Sequence, residues 1–454
     1  MLALLNRHVV QPLQAWRTGN RRLQYLRQLN KSQFDDPETI RARQLDAVRK
    51  ILFHAYESVP YYRNLFIGMG GHPNDVRSLT DLEDFPILTK TDIRTHFQEL
   101  RSTGDDEESV FLKQTSGSTG VPLSILVNRE SMEWKSACTL RSDEWSGWRF
   151  GQREAKVWGN PEYQNQGFKG RLRNFFVDRA RYLDTIGLDE EQMRLFATSL
   201  RSKQPGLLFG HAHSLYLFAC YARRHFAGAI RPNGIISTAM LLHDHQRAAI
   251  EEAFGTPVTN RYGCEEVSLI ASECEHHRGL HLNADSLYAE VIPDRPGSPD
   301  EGSLVVTDLT NRAMPLIRYK VGDVVVKSDR QCACGRGLPL IERVEGREAD
   351  YVLTPSGKLI SGISLTENFA LHIRGAAQVQ IVQESERFLL LRMVPSDEFG
   401  PESRWQIAEL VREMFGPDMD HEVELVDSIP QEPSGKYRFC ISKVAGEFLK
   451  AFAS

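Results

Sequence analysis

The chain has 454 residues and a mass of 51.6 kDa, enough for about two to four domains. It carries 55 Lys and Arg against 60 Asp and Glu, and a net charge of -5 argues against a dedicated nucleic-acid binder. No apolar run approaches the roughly 18 residues of a transmembrane segment. Seven unevenly spread cysteines are typical of a reducing, cytoplasmic location rather than of a disulfide scaffold.

The N-terminal stretch begins with apolar residues and continues with basic ones, which is the reverse of the order in a signal peptide. Apolar side chains recur there at helical spacing. They are Leu2, Leu4, Leu5, Val9 and Leu13. We expect this short helix to pack its apolar side on the body of the protein. Weak contact with a membrane surface is the alternative.

Helical periodicity continues over residues 20–100, and the residue before Pro60 ends one of these helices. From about residue 110, short apolar strands alternate with turns and helices. This pattern predicts an α/β fold with a largely parallel sheet. Residues 286–327 contain four short β stretches in succession, which predict a small antiparallel unit.

The domain prediction follows from these changes of pattern. We expect a large N-terminal domain over residues 1–345 and a small, mobile C-terminal α+β domain over residues 346–454. The larger domain would contain a helical start to about residue 105, an α/β core to about residue 285, and a β-rich unit. In the smaller domain the pattern predicts helices near 364–373 and 401–415.

A loop rich in glycine and serine follows the apolar stretch at residues 110–112. Its glycines permit a tight turn, and its amides and hydroxyls can donate hydrogen bonds to phosphate oxygens. It lacks the Gly-Lys-Ser/Thr ending of a Walker loop. A flexible linker is the alternative, although linkers rarely lie between strands. The loop comprises Gln114, Thr115, Ser116, Gly117, Ser118, Thr119 and Gly120.

Five motifs, in the same order, resemble those of the adenylate-forming (ANL) superfamily. After the loop come Tyr-Gly-x-x-Glu in residues 260–266, Tyr-x-x-Gly-Asp in residues 318–323, Gly-Arg at residues 346–347 and Ser-Gly-Lys at residues 434–436. The sequence most resembles the branch of phenylacetate-CoA ligase, coenzyme F390 synthetase and CapK. The segments AYESVPYYRNLF and FPILTKTDIRTHF are also typical of that branch.

The resemblance implies an AMP-forming ligase that uses ATP and Mg²⁺. A carboxylic acid would attack the α-phosphate to give an acyl-adenylate and pyrophosphate, and the acyl group would then pass to CoA or to an amine. The alternatives are an adenylyltransferase that moves AMP to a small molecule, and a non-catalytic nucleotide-binding protein. The acid, the acceptor and the formation of a homodimer stay open.

The resemblance also assigns roles to single residues. Lys436 would neutralise charge between the carboxylate and the α-phosphate, Glu266 would hold Mg²⁺, and Asp323 would accept hydrogen bonds from the ribose. Arg347 would reach ribose or phosphate, and Tyr262 would pack against adenine. The remaining nucleotide contacts would come from Gly263, from the loop residues Thr115 to Gly120, and from Ser237, Thr238 and Ala239 after a strand.

Simpler structural roles compete with several of these assignments. Ser237 and its neighbours could form a plain turn at a strand end, and Tyr262 could be an ordinary core residue. Trp158 and His211 could line an acyl pocket, although a core role is expected for this histidine. Two positions depart from the family pattern: Glu265 replaces a hydroxyl residue before the motif glutamate, and Ala349 replaces the hinge aspartate.

A cysteine- and histidine-containing set predicts a structural zinc site. A Cys-x-Cys pair on a turn follows the Gly-Asp motif, and a further cysteine and histidine lie about 50 residues earlier. Three thiolates and one imidazole would complete a tetrahedral site with no open position for water. The four residues are Cys274, His281, Cys332 and Cys334. Spacing alone leaves His276 and His277 as alternative ligands, and free reduced cysteines as the alternative to zinc.

Overall fold

A computed structural model describes residues 2–104, 109–115, 123–158, 170, 173–293, 300–345, 351–362, 365, 369, 372–429 and 439–445. The chain divides into two compact units, each assembled from separate stretches of sequence. The first unit contains residues 1–114, 123–151 and 259–346, and the second contains residues 115–122, 152–258 and 347–454. The domain limits drawn at residue 346 stay a prediction, because residues 346–350 lie outside the described part.

Between residues 123 and 264 the described helices and strands alternate as the α/β prediction requires. The helices are α1 (Leu2–Leu5), α2 (Gln11–Thr18), α3 (Arg22–Ser32), α4 (Pro37–Ser58), α5 (Pro60–Met69), α6 (Lys90–Thr95), α7 (Arg129–Asp143), α8 (Glu190–Ser202), α9 (Ala212–His225), α10 (Asp244–Phe254) and α11 (Pro401–Phe415). The strands are β1 (Val110–Thr115), β2 (Leu123–Asn128), β3 (Glu154–Val157), β4 (Ala180–Leu183), β5 (Ile186–Leu188), β6 (Leu207–His211), β7 (Gly234–Thr238), β8 (Val258–Cys264), β9 (Ser268–Glu273), β10 (Leu280–Leu282), β11 (Leu287–Pro293), β12 (Glu301–Asp308), β13 (Tyr319–Ser328), β14 (Leu340–Glu345), β15 (Tyr351–Leu353), β16 (Leu359–Ser361), β17 (Ala376–Ser385), β18 (Phe388–Pro395), β19 (Asp420–Leu425) and β20 (Cys440–Ser442).

The first unit contains the helical start and an antiparallel sheet. Asp36 caps α4 by accepting a hydrogen bond from the Thr39 amide, and extended Val59 before Pro60 ends that helix. The strand order is β11-β12-β13-β14-β10-β9-β8, with antiparallel neighbours throughout, while β1 and β2 form a separate pair. The last two of the four predicted β stretches form a single strand, β13, which contains Gly322 at a φ of 98°.

The second unit contains the parallel sheet. Strands β7-β6-β3-β4 are parallel neighbours, and helices α8 to α10 belong to the same unit. The C-terminal part adds the hairpin β15–β16, which pairs with β5, and the sheet β19-β18-β17-β20. The helix predicted near 401–415 is confirmed as α11. Most of the helix expected near 364–373 lies outside the described residues.

The N-terminal helical segment, residues 2–18, contradicts one expectation. It consists of α1, a π-helical turn over Asn6–Val10, and α2. Its apolar side does not pack on the protein body: Leu4 is 62% exposed, Leu13 59% and Trp16 83%. The buried side chains in this segment are the polar Asn6 and Gln11. In the part of the chain that is described, no helix is long and apolar enough to cross a bilayer.

Candidate active site and candidate metal centre

Several predicted nucleotide contacts fall outside the described residues. Strand β1 ends at Thr115, directly before the predicted phosphate loop. Residues 116–120 of that loop, Arg347 and Lys436 all lie outside the described part, so their roles stay predictions. The motifs that the structure does describe are those on β8 and β13 and in the turn between β8 and β9.

The two described motifs meet through a hydrogen bond between Tyr262 and Asp323. Tyr262 lies on β8 and Asp323 on β13, 61 residues later in the chain. The Tyr262 hydroxyl donates to Asp323 Oδ2 at 2.8 Å, and both residues are half-buried. The ring predicted to face adenine and the carboxylate predicted to face ribose are therefore held next to each other.

Gly263 follows Tyr262 at an irregularity in the pairing of β8 with β9. A Cβ atom at this position would lie 2.5 Å from the Ser268 carbonyl oxygen and 3.2 Å from Leu269 Cα. Since both atoms belong to backbone, a larger residue would force the two strands apart. The glycine thus has a structural reason to be present, and its predicted nucleotide contact stays a prediction.

Glu266, the predicted magnesium ligand, is buried in the turn between β8 and β9. Its Oε1 accepts a hydrogen bond from the Tyr319 hydroxyl at 3.0 Å and lies 3.5 Å from Lys90 Nζ. Burial by itself would raise the pKa of this carboxyl, but the Lys90 ammonium and hydrogen bonds outweigh it and hold the pKa below its usual value. Glu266 is therefore an ionised carboxylate inside the protein.

Lys90 is brought to Glu266 by the start of α6. Thr89 and Asp92 form a reciprocal capping box: the Thr89 amide donates to Asp92 Oδ2 at 2.8 Å, and the Asp92 amide donates to Thr89 Oγ1 at 3.2 Å. The preceding Leu88 pairs with Tyr319 in a parallel bridge. Lys90 and Tyr319 consequently approach Glu266 from segments that are themselves joined through backbone.

Arg318 stabilises this backbone contact between the segment of Leu88 and the segment of Tyr319. It is a buried non-glycine residue in the left-handed region, with a φ of 50°, and its carbonyl accepts a hydrogen bond from the Leu88 amide at 3.0 Å. Its guanidinium lies 3.0 Å from Glu290 and donates to the Glu83 carbonyl at 2.7 Å and to the Phe85 carbonyl. These bonds offset the cost of the unfavourable backbone conformation.

The second unit holds the other predicted nucleotide and acyl contacts, at the carboxyl ends of its parallel strands. Ser237 and Thr238 end β7, and Ala239 follows with a φ of 66°. His211 ends β6, and its ring lies 3.8 Å from that of Trp158. Burial lowers the pKa of His211 to about 3, so this ring is neutral at pH 7.

Three polar atoms at this sheet edge are buried without a hydrogen-bond partner among the described residues. They are both ring nitrogens of His211 and Oγ of Ser237. Leaving such groups unsatisfied costs about 1–3 kcal/mol each, so unpaired polar atoms in an interior commonly mark a ligand site. Edges of parallel sheets of this kind bind ligands outside the carboxyl ends of the strands.

The predicted cysteine and histidine set comes together in the first unit. One ligand atom from each of Cys274, His281, Cys332 and Cys334 lies within 4.8 Å of the others. Cys274 Sγ is 3.6 Å from Cys332 Sγ, and Cys334 Sγ is 3.4 Å from His281 Nε2. The sulfur separation is far longer than the roughly 2.05 Å of a disulfide. All seven cysteines are free.

The geometry and chemistry of this cluster fit zinc. A tetrahedral site with Zn–S bonds of about 2.3 Å has edges of about 3.8 Å, close to the separations just given. The Leu338 carbonyl lies 3.3 Å from His281 Nδ1, so that nitrogen must carry the proton and Nε2 is left for a metal. Burial lowers the pKa of His281 to about 4, which keeps the ring neutral.

Arg336 supports the cysteine side of the cluster. Its backbone amide lies 3.5 Å from Cys334 Sγ, and its guanidinium forms two hydrogen bonds with Glu275 at 3.0 and 2.9 Å. Burial would raise the pKa of the Cys334 thiol, but the Arg336 amide and side chain outweigh it and hold that pKa below its usual value. The shift is toward the thiolate, the form that binds metal, whereas burial raises the pKa of the Cys274 thiol.

The two histidines that spacing left as alternatives lie elsewhere. His276 is exposed, and His277 Nδ1 lies 3.2 Å from Glu273 Oε2. Two residues of the Glu266 site, Lys90 and Tyr319, received no role from sequence reasoning. Both lie in stretches that resemble the family, so the FPILTKTDIRTHF segment held the signal for Lys90. Only the fold could pair that lysine with Glu266.

Comparison with known proteins gives a consistent result. The CapK C-terminal domain family matches residues 352–443. Phenylacetate-coenzyme A ligase of Thermus thermophilus is 27% identical over 70% of this chain and 72% of its own length. Protein CapK of Staphylococcus aureus is 24% identical over 81% of each chain.

A solved structure shares the fold. It is 2-hydroxyisobutyryl-CoA ligase in complex with 2-HIB-AMP and CoA, with a TM-score of 0.57, 21% identity, and coverage of 90% of this chain and 92% of that one. The ordered motifs, the sequence relatives and this fold agree with one another. The chain is therefore similar, in sequence and in fold, to the branch of adenylate-forming enzymes that contains the phenylacetate-CoA ligases and CapK.

Proposed function

We propose that this chain is an AMP-forming acid ligase that activates a carboxylic acid with ATP and transfers the acyl group to CoA or to an amine. One observation carries the proposal most directly. Two family motifs are joined by the Tyr262–Asp323 hydrogen bond, beside the ionised and buried Glu266. The relatives named phenylacetate-coenzyme A ligase support acid activation with CoA as the first acceptor to test.

The first half-reaction joins the acid to AMP. A carboxylate oxygen attacks the α-phosphorus, the bond to the bridging oxygen breaks, and pyrophosphate leaves. Both reactants are anionic, so the reaction needs positive charge and in-line placement. We assign charge neutralisation to Lys436 and phosphate binding to the loop up to Gly120. Asp323 would accept hydrogen bonds from ribose, and the Tyr262 ring would stack on adenine.

Glu266 is the residue of this chain that we expect to hold Mg²⁺. A carboxylate oxygen is the ligand that Mg²⁺ prefers, and an ion held by Glu266 would lower the negative charge of the ATP phosphates. Glu266 fits because it is ionised and one oxygen, Oε1, already has protein partners that fix its orientation.

The second half-reaction transfers the acyl group. A thiol of CoA or an amine attacks the acyl carbon of the adenylate, AMP leaves, and the acceptor loses a proton. The His211 ring nitrogens have no hydrogen-bond partner among the described residues. Together with the nearby Trp158 ring, they support an acyl-binding role for this edge of the second unit. We place Ser237, Thr238 and Ala239 on the nucleotide in the same reaction.

We assign the cysteine and histidine cluster to a structural zinc ion. Four protein ligands would leave no position for water or substrate, so the ion would stabilise the fold and take no part in the chemistry. Seven free thiols, including three in this cluster, support a reducing compartment such as the cytoplasm.

Pyrophosphate release from Mg-ATP tests the proposal. The purified protein is incubated with a panel of aryl, fatty, amino and sugar acids, each alone, with CoA, and with a mixture of amines. We expect release that depends on one class of acid, and a further increase with the correct acceptor. An acid-independent release of pyrophosphate, or release of phosphate instead, would contradict adenylation.

Two lysine variants, one at the proposed catalytic position and one on the surface, provide the test and its control. Lys436→Ala should lower the acid-dependent rate by about 100-fold or more, because the charge on the transition state loses its counter-ion. Lys443→Ala removes a nearby surface lysine, which lies 2.7 Å from Glu384, and should leave the rate unchanged. Equal rates in the two variants would remove Lys436 from the mechanism.

A further inference from the structure

The N-terminal helical segment presents its apolar side outwards and its polar side inwards. The exposed stripe runs along the helix at spacings of three and four residues. It contains Leu2, Leu5, Val9, Leu13 and Trp16, and Leu4 is exposed beside it. A helix on the surface of a globular protein ordinarily shows the opposite arrangement. Exposed large apolar side chains scattered singly are normal, but a continuous stripe marks an interaction surface.

Polar contacts on the inner side fix this orientation. Arg7 forms a salt bridge with Glu144 at 3.2 Å, and Gln11 Oε1 accepts a hydrogen bond from Arg22 at 3.3 Å. A Cβ atom at Gly151 would lie 2.9 Å from the Ala3 carbonyl oxygen, so the helix backbone rests directly on that glycine. Rotating the stripe inwards would break these contacts and bury apolar atoms against charged groups.

The charge of the surrounding sequence is strongly one-sided. Residues 2–34 contain six Lys and Arg and no Asp or Glu, although the whole chain has a net charge of -5. Arg17 is exposed next to Trp16, and Arg27 and Lys31 are exposed on α3. An apolar stripe with basic neighbours, ending in an exposed tryptophan, is typical of helices that lie in the headgroup region of a bilayer.

We propose that the N-terminal helical segment binds the surface of an anionic lipid bilayer, lying parallel to it with the stripe inserted among the headgroups. The exposed positive charges of Arg17, Arg27 and Lys31 favour anionic lipid. The same charge disfavours a second copy of this chain as the occupant, because two identical basic segments would repel each other. The proposal concerns attachment to a surface and is independent of the proposed ligase reaction.

Vesicle co-sedimentation tests the attachment. The full-length protein is mixed with vesicles of phosphatidylcholine containing about 30 % phosphatidylserine. We expect binding that falls at least about tenfold when phosphatidylserine is omitted or when NaCl is raised from about 0.05 to 0.5 M. Equal binding to neutral vesicles, or no binding to either kind, would overturn the proposal.

A pair of double variants isolates the stripe. Leu13→Gln with Trp16→Gln should lower binding at least about tenfold, because both side chains insert among the headgroups. Ile67→Gln with Trp405→Gln is the matched control. Each of these residues is 65% exposed on a helix elsewhere, and the double variant should bind as the unaltered protein does. All four positions are exposed, so circular dichroism should show an unchanged fold.

Sedimentation velocity without lipid tests whether a second copy of the chain covers the stripe instead of a bilayer. The unaltered protein and the Leu13→Gln, Trp16→Gln variant should sediment alike. A dimer that dissociates in this variant would show that a second copy covers the stripe, and would overturn the membrane proposal. Loss of vesicle binding in the Ile67→Gln, Trp405→Gln control would overturn it as well.

Discussion

The first unit contains two polar clusters that are built on opposite principles. Around Glu266 the protein supplies the partners: Tyr319 and Lys90 already contact the carboxylate. In the cysteine and histidine cluster, the four ligand atoms face one another instead. Three sulfurs and an imidazole nitrogen crowded together are good metal ligands but poor partners for each other.

Because of this difference, the two clusters should depend on a bound ion to different degrees. A network that is satisfied by its own residues is organised before any ligand arrives, and its parts should each contribute modestly. A cluster of metal ligands is incomplete without an ion, and removing the ion or its ligands should affect the whole unit. The following predictions test that contrast, beginning with the largest effect.

Removing two of the proposed zinc ligands should have the greatest consequence. The Cys332→Ser, Cys334→Ser variant should lose about one bound zinc per chain and unfold at a temperature lower by about 10 °C or more. Elemental analysis and thermal unfolding measure the two effects. The control is the Cys138→Ala variant, which lacks a buried thiol of the same unit outside the cluster. This variant should still bind about one zinc per chain. A metal-free, fully stable purified protein would refute the zinc site.

Removing the charge of Glu266 should affect chemistry far more than stability. Glu266→Gln keeps the shape of the side chain but weakens Mg²⁺ binding, so acid-dependent pyrophosphate release should fall by about 100-fold. The adjacent Glu265→Gln provides the control and should have a smaller effect if Glu266 alone is the ligand. Raising the Mg²⁺ concentration should partly rescue the first variant. An unchanged rate would exclude Glu266 as the magnesium ligand.

Replacing Lys90 should shift the pH dependence. In the unaltered protein the pKa of Glu266 lies below its usual value, so this carboxylate stays charged as the pH falls to that lowered pKa. Lys90→Met removes the cation and leaves burial, which raises the pKa. The acidic limb of kcat/KM for pyrophosphate release should therefore move to higher pH, and the rate should fall about tenfold.

The matched control for this shift is Lys50→Met. Lys50 is an exposed lysine that pairs with Asp46 at 2.6 Å, and its removal should leave the pH profile in place. Stability offers a second readout. A depressed pKa makes folding more favourable as the pH rises through the window just above it, and a raised pKa has the opposite sign. An identical acidic limb in both lysine variants would show that Lys90 does not set the charge of Glu266.

The smallest effect is expected for Tyr262→Phe. The ring that would stack on adenine remains, and only the hydrogen bond to Asp323 is lost, a change worth about 1 kcal/mol. The KM for ATP should rise about fivefold with little change in kcat. Tyr262→Ala should cost considerably more, because stacking is lost too. Equal effects of the two substitutions would show that the hydroxyl, rather than the ring, dominates.

Sequence reasoning went furthest where chemistry and local pattern agree. Cys274 and His281 could be named with the Cys-x-Cys pair, because three thiolates and one imidazole complete a tetrahedral zinc site. Helix α11 lies where the sequence pattern predicted a helix, near residues 401–415. The choice among the neighbouring histidines needed the structure, because His277 pairs with Glu273 whereas His281 joins the three cysteines.

Sequence reasoning stopped where distant segments meet. The contact of Lys90 with Glu266 depends on the backbone bridge between Leu88 and Tyr319, which no local pattern encodes. The N-terminal helical segment was assigned to a helix correctly, but its orientation was wrong. Periodicity identifies an apolar stripe without saying which side faces the protein, and here Arg7 and Gln11 supply the inner contacts.

The left-handed backbone of Arg318 has a consequence for recombination between relatives. Its guanidinium holds the Glu83 carbonyl, 235 residues away in the chain, and its own carbonyl holds Leu88. A chimera that takes residues 80–100 from one parent and residues 286–323 from another would divide the two sides of these contacts between different parents. Crossover points for directed evolution in this protein should therefore keep Arg318, Glu290 and the segment around Leu88 within a single parent.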